Sequence, residues 1–335
     1  MIFKKIFFTV FFCFGIIIAI QAGDFNSLYR TGLRKLRSND YDGALVQFKK
    51  AHEKAELSSE EIKVLFAIAD VYSQQKKYKE AKTWVVRVLE IPDLKAKDKI
   101  FTYRLMIKYS TSLEQYNDAL TDIRAILRRV VDDKDKVFFL LKRAKILELQ
   151  KKYPEAEESI QECIKLCRNG SPQWQAGQQR FVIVLFKQKK YNDILTRAIE
   201  LDMTGWETSP KQFVHYYAGL AAMREKKYKT AAGWFGRMSD EGQPWFIYSK
   251  NSQLGTSLKK LRQYEKAYKC FEIIYKNTKL QDYYRANGLY MMAEMRYLQN
   301  EYKDARALCE ELKKYPKATN NQIKRAEKML KKLKK

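Results

Sequence analysis

Apolar residues recur at steps of three and four along most of the chain, in pairs of stretches broken by a short polar turn. In the first pair Leu28, Leu33 and Leu36 precede the turn, and Ala44, Leu45, Phe48 and Ala51 follow it. In the second, Leu65, Ile68, Ala69 and Tyr72 precede, and Ala81, Val85, Val88 and Leu89 follow. Such steps put the apolar groups on one helical face. Each pair predicts two antiparallel helices of about 14 and about 12 residues joined by a tight turn.

The turn carries a recurring signature, a polar residue, Tyr, two residues and Ala. It reads Tyr41/Ala44, Tyr78/Ala81, Tyr116/Ala119, Tyr153/Ala156, Tyr191/Ile194, Tyr228/Ala231, Tyr264/Ala267 and Tyr302/Ala305. The tyrosines are spaced by 37, 38, 37, 38, 37, 36 and 38 residues. A period in this range is the mark of a repeat array, in which each unit buries its apolar face on the next. The hydrophobic share of 46% supports such a core, and 13 glycines and 6 prolines are too few for a collagen-like chain or a turn-rich sandwich.

The repeat resembles the tetratricopeptide repeat (TPR) family over roughly residues 24–316. The small position of the family's first helix is held by Gly32, Ala69, Ala144, Gly219, Gly255 and Ala293. The second-helix aromatic is Phe48, Phe235 and Phe271, with Val85, Ile123 and Ile160 in other copies, and prolines follow at Pro92 and Pro316. Ile107 in copy three, and Val182 with Ile194 in copy five, depart from the pattern and are expected to open or bend the array. The period exceeds the family's 34 residues, and the surplus is expected in loops such as 92–97 and 131–136. The resemblance implies an all-α fold, a right-handed α-solenoid superhelix of about eight helix hairpins. Residues 317–335 read as a basic C-terminal capping helix with Ile323, Ala326, Leu330 and Leu333 on one stripe.

Residues 1–22 read as a secretory signal: Lys4 and Lys5 lead an apolar run of 15 residues, Ile6–Ile20, with Ala22 at a small-residue cleavage point. The chain is therefore expected in the periplasm or cell envelope; an uncleaved signal would anchor it to the membrane. The net charge of +26 would otherwise raise a nucleic-acid reading. Lysines gather at the hairpin turns, and stacked repeats would align them as a ridge. Lys76, Lys77, Lys189, Lys190, Lys226, Lys227 and Lys229 are its candidate anion contacts, facing a membrane or wall surface.

Little in the sequence could carry chemistry. His52 and His215 have no ligand or carboxylate at useful spacing, and no phosphate loop, nucleophile elbow or zinc motif occurs. The chain reads as a non-enzyme with no cofactor, no metal and no small-molecule substrate. Cys163, Cys167, Cys270 and Cys309 sit at or beside core positions of the repeat and read as free thiols.

In the family the first helices line a concave face. Mapped by that resemblance, the inward residues include Phe66, Phe138, Phe186, Phe213, Tyr216, Leu220, Tyr290 and Tyr297. Such a groove suits an extended peptide or partner helix. The Lys and Asn of the family's carboxylate clamp are replaced by Tyr29 and Leu33 in copy one, so binding of a chaperone tail is not expected. The leading expectation is an exported scaffold that holds a protein or peptide partner in envelope assembly. The rivals are a basic adaptor docked on an anionic surface and, if residues 1–22 are not a signal, a nucleic-acid binder.

Overall fold

The computed structural model describes residues 24–239 and 243–333. The expected signal at 1–22 lies outside them. Among the described residues every regular element is helical, and the contacts divide the chain into two compact units, up to Gln150 and from Lys151. The sequence has no linker at this boundary, which falls in the turn before Tyr153.

The first unit contains α1 (24–37), α2 (Tyr41–Glu53), α3 (Ser58–Gln74), α4 (Tyr78–Val86), a 3-10 turn (Arg87–Glu90), α5 (Ala96–Ser112), α6 (Tyr116–Leu127) and α7 (Asp133–Leu149). The second contains α8 (Tyr153–Leu166), α9 (Pro172–Lys187), α10 (Tyr191–Glu200), α11 (Thr208–Arg224), α12 (Tyr228–Gly236), α13 (Pro244–Lys260), α14 (Tyr264–Lys276), α15 (Asp282–Leu298), α16 (Tyr302–Lys314) and α17 (Asn320–Lys332). Within each unit a helix packs on the next in sequence, and in the second unit α9, α11, α13 and α15 also touch in succession. No described helix is long and apolar enough to cross a membrane.

Each signature tyrosine is the first residue of a second helix. Two residues before it the chain enters the left-handed region, at Asn39, Lys76, Glu114, Lys151, Lys189, Lys226, Arg262 and Asn300. Two backbone bonds close most of these turns. The Lys76 N–H donates to the Ser73 carbonyl at 3.0 Å and the Lys77 N–H to the Tyr72 carbonyl at 2.9 Å; Lys226 and Lys227 repeat the pair on Met223 and Ala222. This Schellman arrangement satisfies the last carbonyls of the first helix, and it does so here with side-chain-bearing residues where glycine is the usual choice.

In seven of the eight hairpins the two helices carry a pair of residues 16 apart whose sizes compensate; the third pairs Ile107 with Ile123. A Cβ on Gly32 would lie 2.5 Å from Phe48, on Gly219 2.5 Å from Phe235, and on Gly255 2.6 Å from Phe271. Where the small position grows, its partner shrinks: Ala69 with Val85, Val182 with Ala198, Ala293 with Cys309. All of these partners are buried. The departures of copies three and five are therefore not openings in the core. Ile107 and Ile123 share one buried cluster, and Val182, Ile194 and Ala198 share another.

The surplus over a 34-residue period is not confined to loops. Six of the first helices run 17 residues rather than about 14, because their N-termini are fixed early. Asp132 caps α7 by accepting from the Lys134 and Asp135 N–H groups, and Pro244 begins α13. At the other end of the chain, α17 covers the last hairpin with Gln322, Ala326, Met329 and Leu330 buried, while Ile323 is only half-buried. Gln322 is inside because it closes a capping box with Thr319 and donates to the Tyr283 carbonyl at 2.9 Å.

Candidate functional site

The first helices carry the mapped aromatic residues, and the structure joins them into local clusters in each unit. In the second unit Phe213 on α11 stacks on Trp245 of α13 at 5.9 Å and meets Phe246 edge-on at 5.2 Å. Tyr216 lies 5.4 Å from Trp245, and burial together with a hydrogen bond to Ser249 fixes its hydroxyl end in the structure. Tyr248 and Tyr284 continue the row from α13 to α15, with centroids 4.3 Å apart. Leu220 is half-buried against the same core. Trp245 is 44% exposed, although it is the largest ring in the row. Burying such a ring against a partner releases more apolar surface than any aliphatic neighbour would.

Trp245 and Tyr248 were missed because the sequence mapping named no residue in the seventh copy, whose first helix is α13; Tyr284 lies nearer the N-terminus of α15 than Tyr290, the first residue mapped there. The 17-residue length of α13 and α15 brings them onto the same face. Three other mapped residues stand apart from this row. Phe186 packs on Tyr191 at its own hairpin turn and on Tyr217. Tyr297 packs on Tyr302 at the last turn. Tyr290 lies beneath Arg325 of α17, 5.7 Å from the ring, so the cap helix shares its surface.

In the first unit Phe66 of α3 meets Phe101 of α5 edge-on at 4.8 Å, and Phe101 is 46% exposed. Further along, α5 and α7 diverge around a cleft of about 430 Å3. Phe138 forms part of its wall. The Arg104 guanidinium sits 4.3 Å over the Phe138 ring and 2.5 Å from Asp135. Lys108, Lys142 and Lys145 also line the cleft.

The turn lysines have mixed positions. Lys76, Lys77, Lys189, Lys190, Lys226, Lys227 and Lys229 are exposed. Lys190, however, pairs with Glu157 at 2.8 Å and Lys227 donates to Asn192 at 3.2 Å, each reaching the second helix of the preceding repeat. Lys82 with Asp118, 3.3 Å apart, and Gln150 with Asn117, at 3.0 Å, join neighbouring repeats of the first unit in the same manner. Part of the ridge therefore fastens repeat to repeat. The residue in the left-handed position gains from the C-terminal dipole of the first helix, while the next one opposes the N-terminal dipole of the second.

His52 has a carboxylate neighbour that the sequence spacing did not show, with its Nε2 4.0 Å from Glu61 and 3.5 Å from the Arg87 guanidinium. His215 is buried against Trp234, and burial first, then Lys211 and Arg237, holds its pKa down to about 4. Burial and Arg87 lower that of His52. Among the described residues no group of three or more His, Cys, Asp or Glu could hold a metal ion. Cys163, Cys167, Cys270 and Cys309 are not joined in disulfides. Burial pushes Cys163 up to about 12 and Cys309 up to about 11, which leaves them protonated and unreactive at neutral pH.

No family model and no curated protein matches the sequence. Solved structures do match in fold. The apo form of RapI is 14% identical with a TM-score of 0.59, over 94% of this chain and 98% of that one. The C-terminal part of a TPR repeat-containing protein from Cytophaga hutchinsonii is 13% identical with a TM-score of 0.52, over 89% and 98%. The chain thus has an all-α fold of paired helices of the TPR type.

Proposed function

We propose that the chain is a non-catalytic interaction scaffold that holds a protein partner along the exposed face of its first helices, α11, α13 and α15 above all. The observation that carries this is Trp245: a half-exposed tryptophan stacked on Phe213, in a row of rings supplied by successive repeats. A rigid aromatic row on rigid helices provides contact area at small entropic cost, and a groove of this kind takes an extended peptide or an amphipathic helix. The fold is shared with TPR proteins and does not itself name a function; the exposed rings are what support binding on this face.

The pattern of residues 1–22 supports export, and with it a role in assembling an envelope complex. The exposed lysines at 76, 77, 189, 226 and 229 support, in second place, contact with an anionic surface; Lys190 and Lys227 are already engaged within the fold.

A photo-crosslinking amino acid placed at Trp245 in the native cell is expected to yield one dominant adduct. The same group at Ile199, 74% exposed on α10, is expected to yield none of it. Equal adducts at both positions would remove the first-helix face as the site. Cell fractionation tests export separately: the full-length chain recovered from the cytoplasm with its leader intact would overturn it.

A further inference from the structure

The second unit holds a cavity of about 490 Å3 between the end of α10, the loop 201–207, α11 and α12, and none of the rings of the aromatic row lines it. Its size falls within the roughly 300–1,000 Å3 of small-molecule sites. Lys211 and Arg237 line it, and no carboxylate does. Arg237 is exposed, with its guanidinium 4.3 Å over the Trp234 ring. Asp202 is near enough to feel the charge of Lys211, but it is outside the lining and its carboxylate accepts from the Thr204 N–H at 2.9 Å. Leu201, Met203 and Trp234 supply an apolar wall, and His215 completes the lining. His215 is only 4% exposed, and among the described residues its Nδ1 has no hydrogen-bond partner. Burial first, then Lys211 and Arg237, keep the ring neutral at pH 7, against a weaker pull from the Arg237 backbone carbonyl. A buried polar atom in that state calls for a partner.

We infer that this cavity binds a small organic acid that carries a hydroxyl beside its carboxylate and an aliphatic body. The inference is independent of the aromatic row and goes beyond the scaffold reading; it also departs from the sequence-based expectation that no small molecule is involved. Three features of the cavity ask for three groups in one ligand. Lys211 and Arg237 ask for an anion, and the planar guanidinium, backed by the Trp234 ring, matches a carboxylate. The buried Nδ1 asks for a hydrogen-bonding group. A neutral imidazole nitrogen is a donor in one tautomer and an acceptor in the other, and a hydroxyl serves either, since it both donates and accepts. Leu201, Met203 and Trp234 ask for apolar surface that displaces water from them. An inorganic anion would meet the two cations and leave the wall and Nδ1 unused. A plain fatty acid would meet the cations and the wall and bury Nδ1 without a partner.

The test is isothermal titration calorimetry of the full chain with 2-hydroxyoctanoate. Comparison probes each lack one group: octanoate the hydroxyl, lactate the body, 2-hydroxyoctanamide the charge, with inorganic phosphate as competitor. 2-Hydroxyoctanoate is expected to bind once per chain. Octanoate is expected to bind several-fold more weakly, the scale of one neutral hydrogen bond. Lactate and the amide are each expected to bind about tenfold or more weakly, through lost apolar burial and lost charge. Arg237→Glu is expected to weaken 2-hydroxyoctanoate by about tenfold or more, since the reversal replaces an attraction with a repulsion. Arg237 is exposed, so the variant keeps the fold, and circular dichroism checks this. His215→Phe is expected to abolish the preference for 2-hydroxyoctanoate over octanoate; should that variant not fold, the ligand series on the wild-type chain carries the same test. No binding, binding of several equivalents, or indifference to Arg237→Glu would each overturn the inference. So would the amide binding as tightly as the acid, or phosphate displacing the ligand at equal concentration, which would mark an anion site only. A hydroxyl that adds nothing would show that solvent already satisfies Nδ1 and would overturn the hydroxy-acid assignment.

Discussion

At the scale of single residues, the fold rests on a size rule between two positions 16 apart. Gly219 leaves 2.5 Å between an added Cβ and Phe235, so Gly219→Ala is expected to cost about 1–3 kcal/mol by overpacking. Adding Phe235→Val should recover much of that, because Ala with Val is the pair the chain itself uses at Ala69 and Val85. Urea unfolding of the two single variants and the double variant checks it; additive losses would deny the coupling. A second residue-scale cost lies in the turns. Lys226 holds a φ of 57°, where an L-residue is strained by about 1–2 kcal/mol and glycine loses about 0.5–1 kcal/mol of chain entropy. Lys226→Gly should therefore raise stability by roughly 0.5 kcal/mol, and Lys226→Val should lower it; the same unfolding measurement reads both. The sequence made the small-residue positions legible as a pattern, but the partner sizes became meaningful only once the contacts were known. The turn lysines read as surface charge, because nothing in a lysine announces a left-handed backbone.

His215 gives a pH test at the same scale. Its folded pKa of about 4 lies below the ordinary 6.5. Between those values the unfolded chain binds the proton and the folded chain does not, so stability is present above about 6.5 and falls as pH drops toward 4. Carboxylates such as Asp40 and Asp282, whose pKa values hydrogen bonds to Lys35 and Lys317 lower, lose stability in the acid range as well. The histidine's share is the difference between wild type and His215→Gln, which is expected to show a flatter loss from pH 6.5 to 4. Identical slopes would show that the imidazole does not titrate with unfolding.

At the scale of elements, two buried glutamines hold the loops that follow hairpins five and six. Gln175 accepts from the Glu207 N–H at 2.9 Å, and Gln212 accepts from the Ser239 N–H at 3.2 Å. A hydrogen bond of this kind contributes about 0.5–1.5 kcal/mol net. Gln175→Leu is expected to destabilise by an amount in that range and to speed amide exchange at Glu207 while the middle of α9 stays protected. Unchanged exchange at Glu207 would show that the loop is held by something else. Helix pairing and turn positions were readable from periodicity alone, since steps of three and four recur in eight copies and the Tyr-x-x-Ala mark in seven, with Ile194 in place of the alanine in the fifth. The extra turn at the start of the first helices was not. Their opening residues, such as Pro244 and Trp245, break the apolar period and read as loop, although Pro at the first helical position begins a helix rather than ending one. That one turn is what places Trp245 and Tyr284 on the face proposed for binding.

At the scale of the molecule, each unit presents a different surface on its first helices, a cationic cleft with an apolar wall in one and an aromatic row in the other. Alanine at Phe213, Tyr216 and Tyr290 would be a poor probe of this face, since all three are half-buried and support their own hairpins. Trp245 is the better one, with 44% of its surface open. The most direct measurement is a quantitative pull-down from the native source with the wild-type chain and Trp245→Ala side by side, helicity matched by circular dichroism. The expected result is one protein in fixed proportion to the wild-type chain and at least tenfold less on the variant, the scale of a tryptophan anchor worth about 2 kcal/mol. Equal recovery on both, or recovery of nucleic acid that high salt removes, would contradict the scaffold reading.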